Sequence, residues 1–444
     1  MGRGELLDRC QQAVRMTTDL GADQAEAYAE SIDKLVARAE KSDLQIFKGQ
    51  METAIGVRAF IGGQCGFAST NRLDQLDAVC RDAIALARIS PEDPHNVLPE
   101  PQEIAPIASL RDEAALTLTA ESAIEYAASM LREAEKMDGR LIVNVASFNS
   151  SLRDSAVANS LGIGAEQSDS SFIYGVVATA RDGDRVSNFD EQVCATRYIR
   201  EIDVVRPVRR ACENALASLD AEKGESFVGS VILAPGAVAD ILVRAVLFQI
   251  SATNALNGST RWKDSIGEAV AVAELTLLDD GHLDGGYASC AFDREGSPRR
   301  QLPLIEGGML RAHIHNAYSS HATGAANTGN ASGTAQSPPG IDTTNVIIAP
   351  GRQTSEALIA DVEQGLLAQR FSGNVDPISG DFSGAVKAAR LIRHGRLDRP
   401  VSGTMIAGNV FDILNHISGI SSDREQILSQ TLPFVRLENV SVSA

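Results

Sequence analysis

Between Val231 and Ile250 the chain is apolar except for a few positions, chiefly Asp240 and Arg244. Those two charges exclude a bilayer span, which needs about 20 predominantly apolar residues in a row. Pro235-Gly236 divides the run into a strand, Ser230 to Ala234, and an apolar segment, Val238 to Leu256, that reads as a buried helix. A helix that is apolar on most sides has to be enclosed by other elements. The second half of the chain must therefore supply a shell for it, and its remaining segments are short and rich in turn residues.

Val270 to Leu278, Leu302 to Ile305 and Leu310 to His315 read as strands, separated by Asp279-Asp280-Gly281, Gly285-Gly286 and Glu306-Gly307-Gly308. Residues 322 to 340 are nearly all Ala, Gly, Asn, Thr and Ser, too small to build a core, and read as a loop. In the first half, residues 5 to 20, Asp74 to Ile89, Asp112 to Lys136 and Glu201 to Leu219 have helical spacing. Ala25 to Arg38, Leu44 to Phe47, Ala54 to Ile61, Gly66 to Thr70, Leu141 to Phe148 and Phe172 to Ala180 read as strands. Gly49, Gly62-Gly63, Asn159-Ser160 and Asp182-Gly183 are read as turns between them. Five prolines between Pro91 and Pro106 mark an extended linker or surface wrap. The polar stretch Asp220 to Ser226 divides the chain into residues 1–222 and 223–444. The fold class expected is α+β: an N-terminal antiparallel sheet with packed helices, then a strand-rich, barrel-like domain containing a central helix.

The net charge of −18 argues against a nucleic-acid partner, which would need clustered Lys and Arg. The six cysteines, Cys10, Cys65, Cys80, Cys194, Cys212 and Cys290, form no CxxC pair and read as small buried residues in a reducing compartment. The N-terminal Met1-Gly2-Arg3-Gly4-Glu5 has no apolar signal core. A cytoplasmic protein with no membrane segment is expected.

Three groups of residues could carry chemistry. His313-Ile314-His315 places two imidazoles two apart, which on a strand share one face and could chelate a metal; the pair is incomplete as a site, and polar residues on the solvent or groove side of a strand are the better reading. The loop Ala322 to Gly340 could pair its backbone with an extended peptide. Asp376 to Ser383 could be read as a nucleophile site on Ser379 or Ser383, but neither serine lies in GxSxG or SxxK, and a structural turn is the better reading.

Several stretches in order carry a resemblance over nearly the whole chain. These are Glu40 to Gly49, Glu52 through Gly56-Val57-Arg58 to Gly66-Phe67-Ala68, Phe292-Asp293-Arg294-Glu295-Gly296, Leu304-Ile305-Glu306-Gly307-Gly308, Ser379-Gly380-Asp381-Phe382-Ser383, and Pro400-Val401-Ser402-Gly403 through Asn409. Together they resemble the TldD/PmbA (modulator of gyrase) family of metallopeptidases. Its zinc-bearing members carry His-Glu-x-x-x-His on the helix that corresponds to Val238–Leu256. Residue by residue, those three positions fall here on Gln249, Ile250 and Asn254. A hydrolytic zinc takes three protein ligands and a water with a base beside it. Histidines five apart stand about 140° apart around an ideal helix, so the zinc-bearing relatives must bend it. A further ligand in those members is a C-terminal cysteine; this chain has none after Cys290, and its tail offers only Glu425 and Glu438.

The resemblance therefore implies the PmbA/TldE branch, whose members lack the zinc motif. It implies no catalytic residue and no bound metal or cofactor in this chain, with zinc in a TldD-like partner of a heterodimer that cleaves unfolded peptides or removes leader segments. His313, His315, Asn327, Asn330 and Ser332 are the residues expected to form the peptide-binding cleft. The alternatives are a free-standing homodimer that binds peptides without hydrolysing them, and an autonomous metal-dependent hydrolase built on His313 and His315.

Overall fold

The computed structural model describes residues 3–40, 43–107 and 110–444; Met1-Gly2, Lys41-Ser42 within the Glu40 to Gly49 stretch, and Ala108-Ser109 lie outside the described residues. Helix α1 (Arg3–Asp19) leads into strands β1 (Gln24–Glu40), β2 (Asp43–Ile61) and β3 (Gln64–Thr70), followed by α2 (Leu76–Ala87) and α3 (Ala120–Glu135). Strands β4 (Leu141–Asn159), β5 (Gly164–Asp182), β6 (Arg185–Val186) and β7 (Asp190–Thr196) follow, then α4 (Val205–Leu219). All pairings in this sheet are antiparallel, in the order β3-β2-β1-β4-β5, with β6 and β7 both on β5.

Side chains alternate across a strand, and this sheet uses both faces. On β1, Ala25, Ala27 and Ala29 pack against Leu6, Cys10 and Ala13 of α1, while Ala37 and Ala39 pack with Ala123, Ala127 and Met130 of α3. The intervening Glu26, Tyr28 and Glu30 point to the opposite face. Small residues on the helical side let the helices lie close to the sheet. Gly56 of β2 lies on the opposite face too, where an added Cβ would stand 2.3 Å from the Ala335 carbonyl oxygen. The second half of the chain is thus pressed directly onto the sheet there.

Several expectations are corrected. Gly49 makes no turn: β2 runs through it, opposite Leu35 of β1, because a continuous ladder satisfies the backbone. Gly62 and Gly63, at φ 56° and 82°, do form the β2–β3 turn. Strands β4 and β5 are each 19 residues long, more than twice the segments read from their apolar ends. The helix expected over Asp112–Lys136 is interrupted: a short turn, Glu113–Thr117, precedes α3, whose first turn is capped by Thr119 accepting from Ser122 N at 3.3 Å.

In the second half, a 14-stranded sheet begins at the short strand Glu222–Lys223 and ends at Gln430–Ser443. Strand Phe227–Leu233 sits in its middle, parallel to Gln364–Ala368 and antiparallel to Gln430–Ser443. The expected helix follows, with Pro235 at its start, a π-helical turn over Ala239–Val243 and an α segment Arg244–Gln249. Ile241, Leu242, Val246 and Ile250 form one core with Leu304, Phe371, Phe382, Leu391, Ile406 and Val435, so strands enclose the helix. The helix stops short of the expected Leu256. Ser251 is extended (φ −70°, ψ 119°), and a separate short helix covers Ala252–Leu256. The strand expected over Val270–Leu278 reduces to Leu277–Asp280, and the one over Leu310–His315 to Met309–Leu310. No helix among the described residues is long and apolar enough to cross a membrane.

The two sheets meet at a buried charge cluster. Arg58 Nη2 lies 2.5 Å from Glu26 Oε2 and 2.8 Å from Glu295 Oε1, and Arg294 Nη1 lies 3.0 Å from Glu26 Oε1. Glu295 Oε2 also accepts from Ala317 N, and Glu30 Oε1 from Ala335 N, both at 2.9 Å. Burial would raise the Glu26 carboxyl, but Arg58 and Arg294 hold it below its ordinary value. Its contribution to stability is thus present above the unfolded pKa and lost as pH falls below it. Removing one partner strands the others, so Glu26→Ala should cost about 3–5 kcal/mol, against at most about 1 kcal/mol for Lys34→Ala in the exposed Lys34–Glu52 pair. Urea unfolding at neutral pH checks this, and Glu26→Gln should unfold less steeply than the parent as pH drops below about 4.5.

Candidate functional site

The break in the central helix falls inside the Gln249–Asn254 segment, so the bend that a zinc motif would require is present without one. The three positions have been given other work. Gln249 is fully buried; its Nε2 donates to Pro377 O at 2.6 Å and its Oε1 accepts from Arg261 N at 2.9 Å, with Thr260 Oγ1 2.5 Å away. The side-chain amide thus ties the helix end to the 376–381 turn and to the segment after Gly258. Ile250 is wholly in the core. Asn254 Nδ2 donates to Phe248 O at 2.9 Å, satisfying one of the carbonyls that the helix end leaves open. These residues do not fit a zinc ion. One amide is spent on the backbone, one side chain is hydrocarbon, and the other amide serves as a cap.

His313 and His315 run alongside this break. Ile314 makes an isolated parallel bridge with Ser251, with Ile314 N to Ile250 O at 2.9 Å and Ala252 N to Ile314 O at 3.2 Å. The segment is therefore not a strand with a solvent side, as expected, because its backbone is occupied by the helix break. Both histidines are about 95% buried. His313 lies between two carbonyls, with Nδ1 3.2 Å from Ile250 O and Nε2 3.1 Å from Trp262 O. His315 Nδ1 faces Ser319 Oγ at 3.3 Å. Burial, and then the neighbouring His313, push the His315 ring down to about 4. Both rings border a cavity of about 410 Å³ whose other walls include Lys263, Asp264, Ile266 and Thr323.

The remaining expected cleft residues are dispersed. Asn330 is buried, with Nδ2 bonded to Asp279 Oδ2 at 2.7 Å and to Asp342 O at 3.0 Å. Asn327 bridges Ser297 Oγ and Gly329 N, both at 3.0 Å. Each amide holds the 322–340 segment in place. That segment is more ordered than the loop expected: a capped helix, Ala317–Thr323, enters it, and Ala331–Ser332 pairs with Gly340–Ile341. Ser332 borders a different cavity, between the two sheets. Ser379 belongs to a turn, as read: Asp376 Oδ1 accepts from Ile378 N and Ser379 N, and Ser379 Oγ donates to Asp381. The two tail carboxylates are committed elsewhere, Glu425 to Arg210 at 2.5 Å and Glu438 to Ser230 Oγ at 2.6 Å. Among the described residues, no group of three or more His, Cys, Asp or Glu could hold a metal ion. The Gln249–Pro377 tie is not legible in the sequence, since nothing local links residues so far apart.

Two outcomes follow. Gln249→Leu leaves Arg261 N and Pro377 O without partners and should cost about 1–3 kcal/mol in chemical denaturation. A histidine whose folded pKa lies below its unfolded value stabilises the fold at higher pH; that contribution is lost as pH falls from about 6.5 towards 4. His315→Gln should therefore flatten the acid side of the stability profile over that window.

Comparison with known proteins gives the lineage. Three successive family profiles match: the PmbA/TldA metallopeptidase domain 1 over residues 25–87, the central domain over 113–219 and the C-terminal domain over 228–444. A metalloprotease of Synechocystis is 26% identical over 415 residues, 90% of this chain and 88% of that protein. A metalloprotease PmbA homolog of Haemophilus influenzae is 24% identical over 447 residues, 99% and 96% of the two chains. The crystal structure of TldE from Thermococcus kodakarensis superposes with a TM-score of 0.89 at 21% identity, covering 98% of this chain and all of that one. With its framework matched from the first sheet to the last strand, the chain belongs to the TldD/PmbA metallopeptidase family.

Proposed function

We propose that this chain is the zinc-less subunit of a TldD/TldE-type peptidase, acting with a zinc-bearing family member that supplies the metal and the general base. The observation that carries this reading is the state of the motif positions: Gln249 and Asn254 are bonded to the chain's own backbone, and Ile250 is core. The likeness to the PmbA homolog and to TldE supports the same branch. In this reading the subunit helps enclose an extended peptide. His313 and His315 wall the cavity beside the helix break, while Asn327 and Asn330 act indirectly by fixing the 322–340 segment. Ser332 belongs to the neighbouring cleft between the sheets.

Co-expression of the tagged chain with a relative carrying His-Glu-x-x-x-His tests it. A stable mixed complex is expected, with zinc residing in the relative and cleavage of an unfolded peptide substrate by the complex alone. Near-stoichiometric zinc in the isolated chain, lost on His313→Ala, would overturn the zinc-less reading. Recovery of only self-associated chain would remove the heterodimer.

A further inference from the structure

The face of the first sheet turned away from its helices does not meet the second half everywhere. Beside the Glu26–Arg58–Arg294–Glu295 cluster it leaves a cavity of about 370 Å³, floored by β1, β4 and β5 and roofed by residues 287–299 and 331–344. This cavity is separate from the one walled by His313 and His315. Four guanidinium groups line it, Arg153, Arg197, Arg294 and Arg299, against two carboxyl groups, Asp169 and Asp293. The imbalance occurs in a chain of net charge −18.

Most of these charges are already bonded. Arg197 donates only to backbone carbonyls, Arg294 to Glu26, and Arg299 to the carbonyls of Asp342 and Ala331. Asp293 accepts from Glu295 N, Ser297 N and Ala331 N; burial, then the nearby Glu295, push its carboxyl up to about 7, which weakens its negative charge at neutral pH. Among the remaining donors, Arg294 Nη2 and Arg299 Nε are buried with no partner among the described residues, and two more reach the cavity. Arg153 holds Asp169 Oδ2 through Nε and Nη2, at 3.0 and 2.9 Å, which leaves Nη1 on a side chain still 37% exposed. The Tyr28 hydroxyl, on a side chain 95% buried, has no hydrogen-bond partner among the described residues and borders the cavity. Its oxygen is not sealed off by neighbouring atoms and is open to whatever enters the cavity.

We propose that this cavity is a binding site for a carboxylate, received by Arg153 Nη1 and the Tyr28 hydroxyl with the more deeply buried arginines supplying a positive field. A planar guanidinium edge and one hydroxyl match the two oxygens of a carboxylate, and Asp169 beside Arg153 opposes a dianion such as phosphate. Ile32 and Phe292, also in the lining, give the carbon skeleton an apolar wall. The volume takes a ligand of one or two residues' size, such as the end of a peptide chain or a small organic acid. The inference stands whether or not the chain works with a metal-bearing partner.

Titration calorimetry on the full chain tests it with four probes: acetyl-Ala-Ala with a free carboxylate, its C-terminal amide, succinate and inorganic phosphate. Binding of acetyl-Ala-Ala or succinate, with the amide at least about tenfold weaker, supports the site and tells peptide end from organic acid. Tyr28→Phe, which keeps the ring under Arg294, should weaken that binding several-fold, and Arg153→Gln should weaken it by about tenfold or more. The proposal is overturned by equal binding of acid and amide, by binding of phosphate alone, by no binding of any probe at about 10 mM, or by carboxylate binding that Tyr28→Phe leaves unchanged.

Discussion

The rest of the structure hangs on the buried knot of Glu26, Arg58, Arg294 and Glu295. Glu26 and Arg58 come from neighbouring strands of the first sheet, and Arg294 and Glu295 from a turn in the second half. A hydrophobic seam could have joined the two halves, but it would tolerate sliding. Charges that find partners only at one relative placement do not, since any other arrangement leaves a buried ion unpaired. Arg294 adds a second constraint by stacking 4.1 Å from the Tyr28 ring centroid. The close contact at Gly56, which has no room for a Cβ, shows how tightly the knot draws the surfaces together.

The central helix makes a related point about what survives when a catalytic motif is absent. The helix is interrupted at Ser251, and the side chains on either side of the break serve the interruption itself. Gln249 anchors the helix end to the 376–381 turn, Asn254 caps it, and the backbone of Ile250 and Ser251 pairs with residue 314. The strain of interrupting a buried helix is met by hydrogen bonds from neighbouring chain segments, which any buried break must find. The local shape therefore owes nothing to a metal.

How far this was legible in the sequence depended on whether a signal was local. The buried helix, the Gly62-Gly63 turn and the first strand could be read, because each is written within a few residues. Their framework, together with the ordered stretches from Glu40 to Asn409, was enough to place the family and fold class. The polar halves of β4 and β5 were not readable as strands. Arg153, Gln167 and Asp169 alternate correctly, but their face is covered by residues 287–299, more than a hundred positions away, and nothing nearby marks it as buried. His313 and His315 were legible as a pair but not as a buried pair, since the segment that occupies their backbone is the helix break at Ser251.

Arg197 shows what the junction charges accomplish. Its side chain is 2% exposed and forms no ion pair within salt-bridge distance among the described residues. It donates instead to the carbonyl oxygens of Leu110, Ser170, Gly286, Tyr287 and Ser289, gathering a linker, a sheet strand and a loop around one planar group. Burial lowers its pKa, the expected direction for a cation that has lost water without gaining a carboxylate. As a source of net stability such an arrangement is poor. As a template it is effective, because five carbonyls can converge on a guanidinium in few ways. The loop it holds, residues 286–289, is part of the roof over the sheet's second face. The same guanidinium thus fixes the walls of the cavity and contributes positive charge to it. A hydrocarbon core would have closed that space, whereas carbonyls ordered around an arginine hold it open.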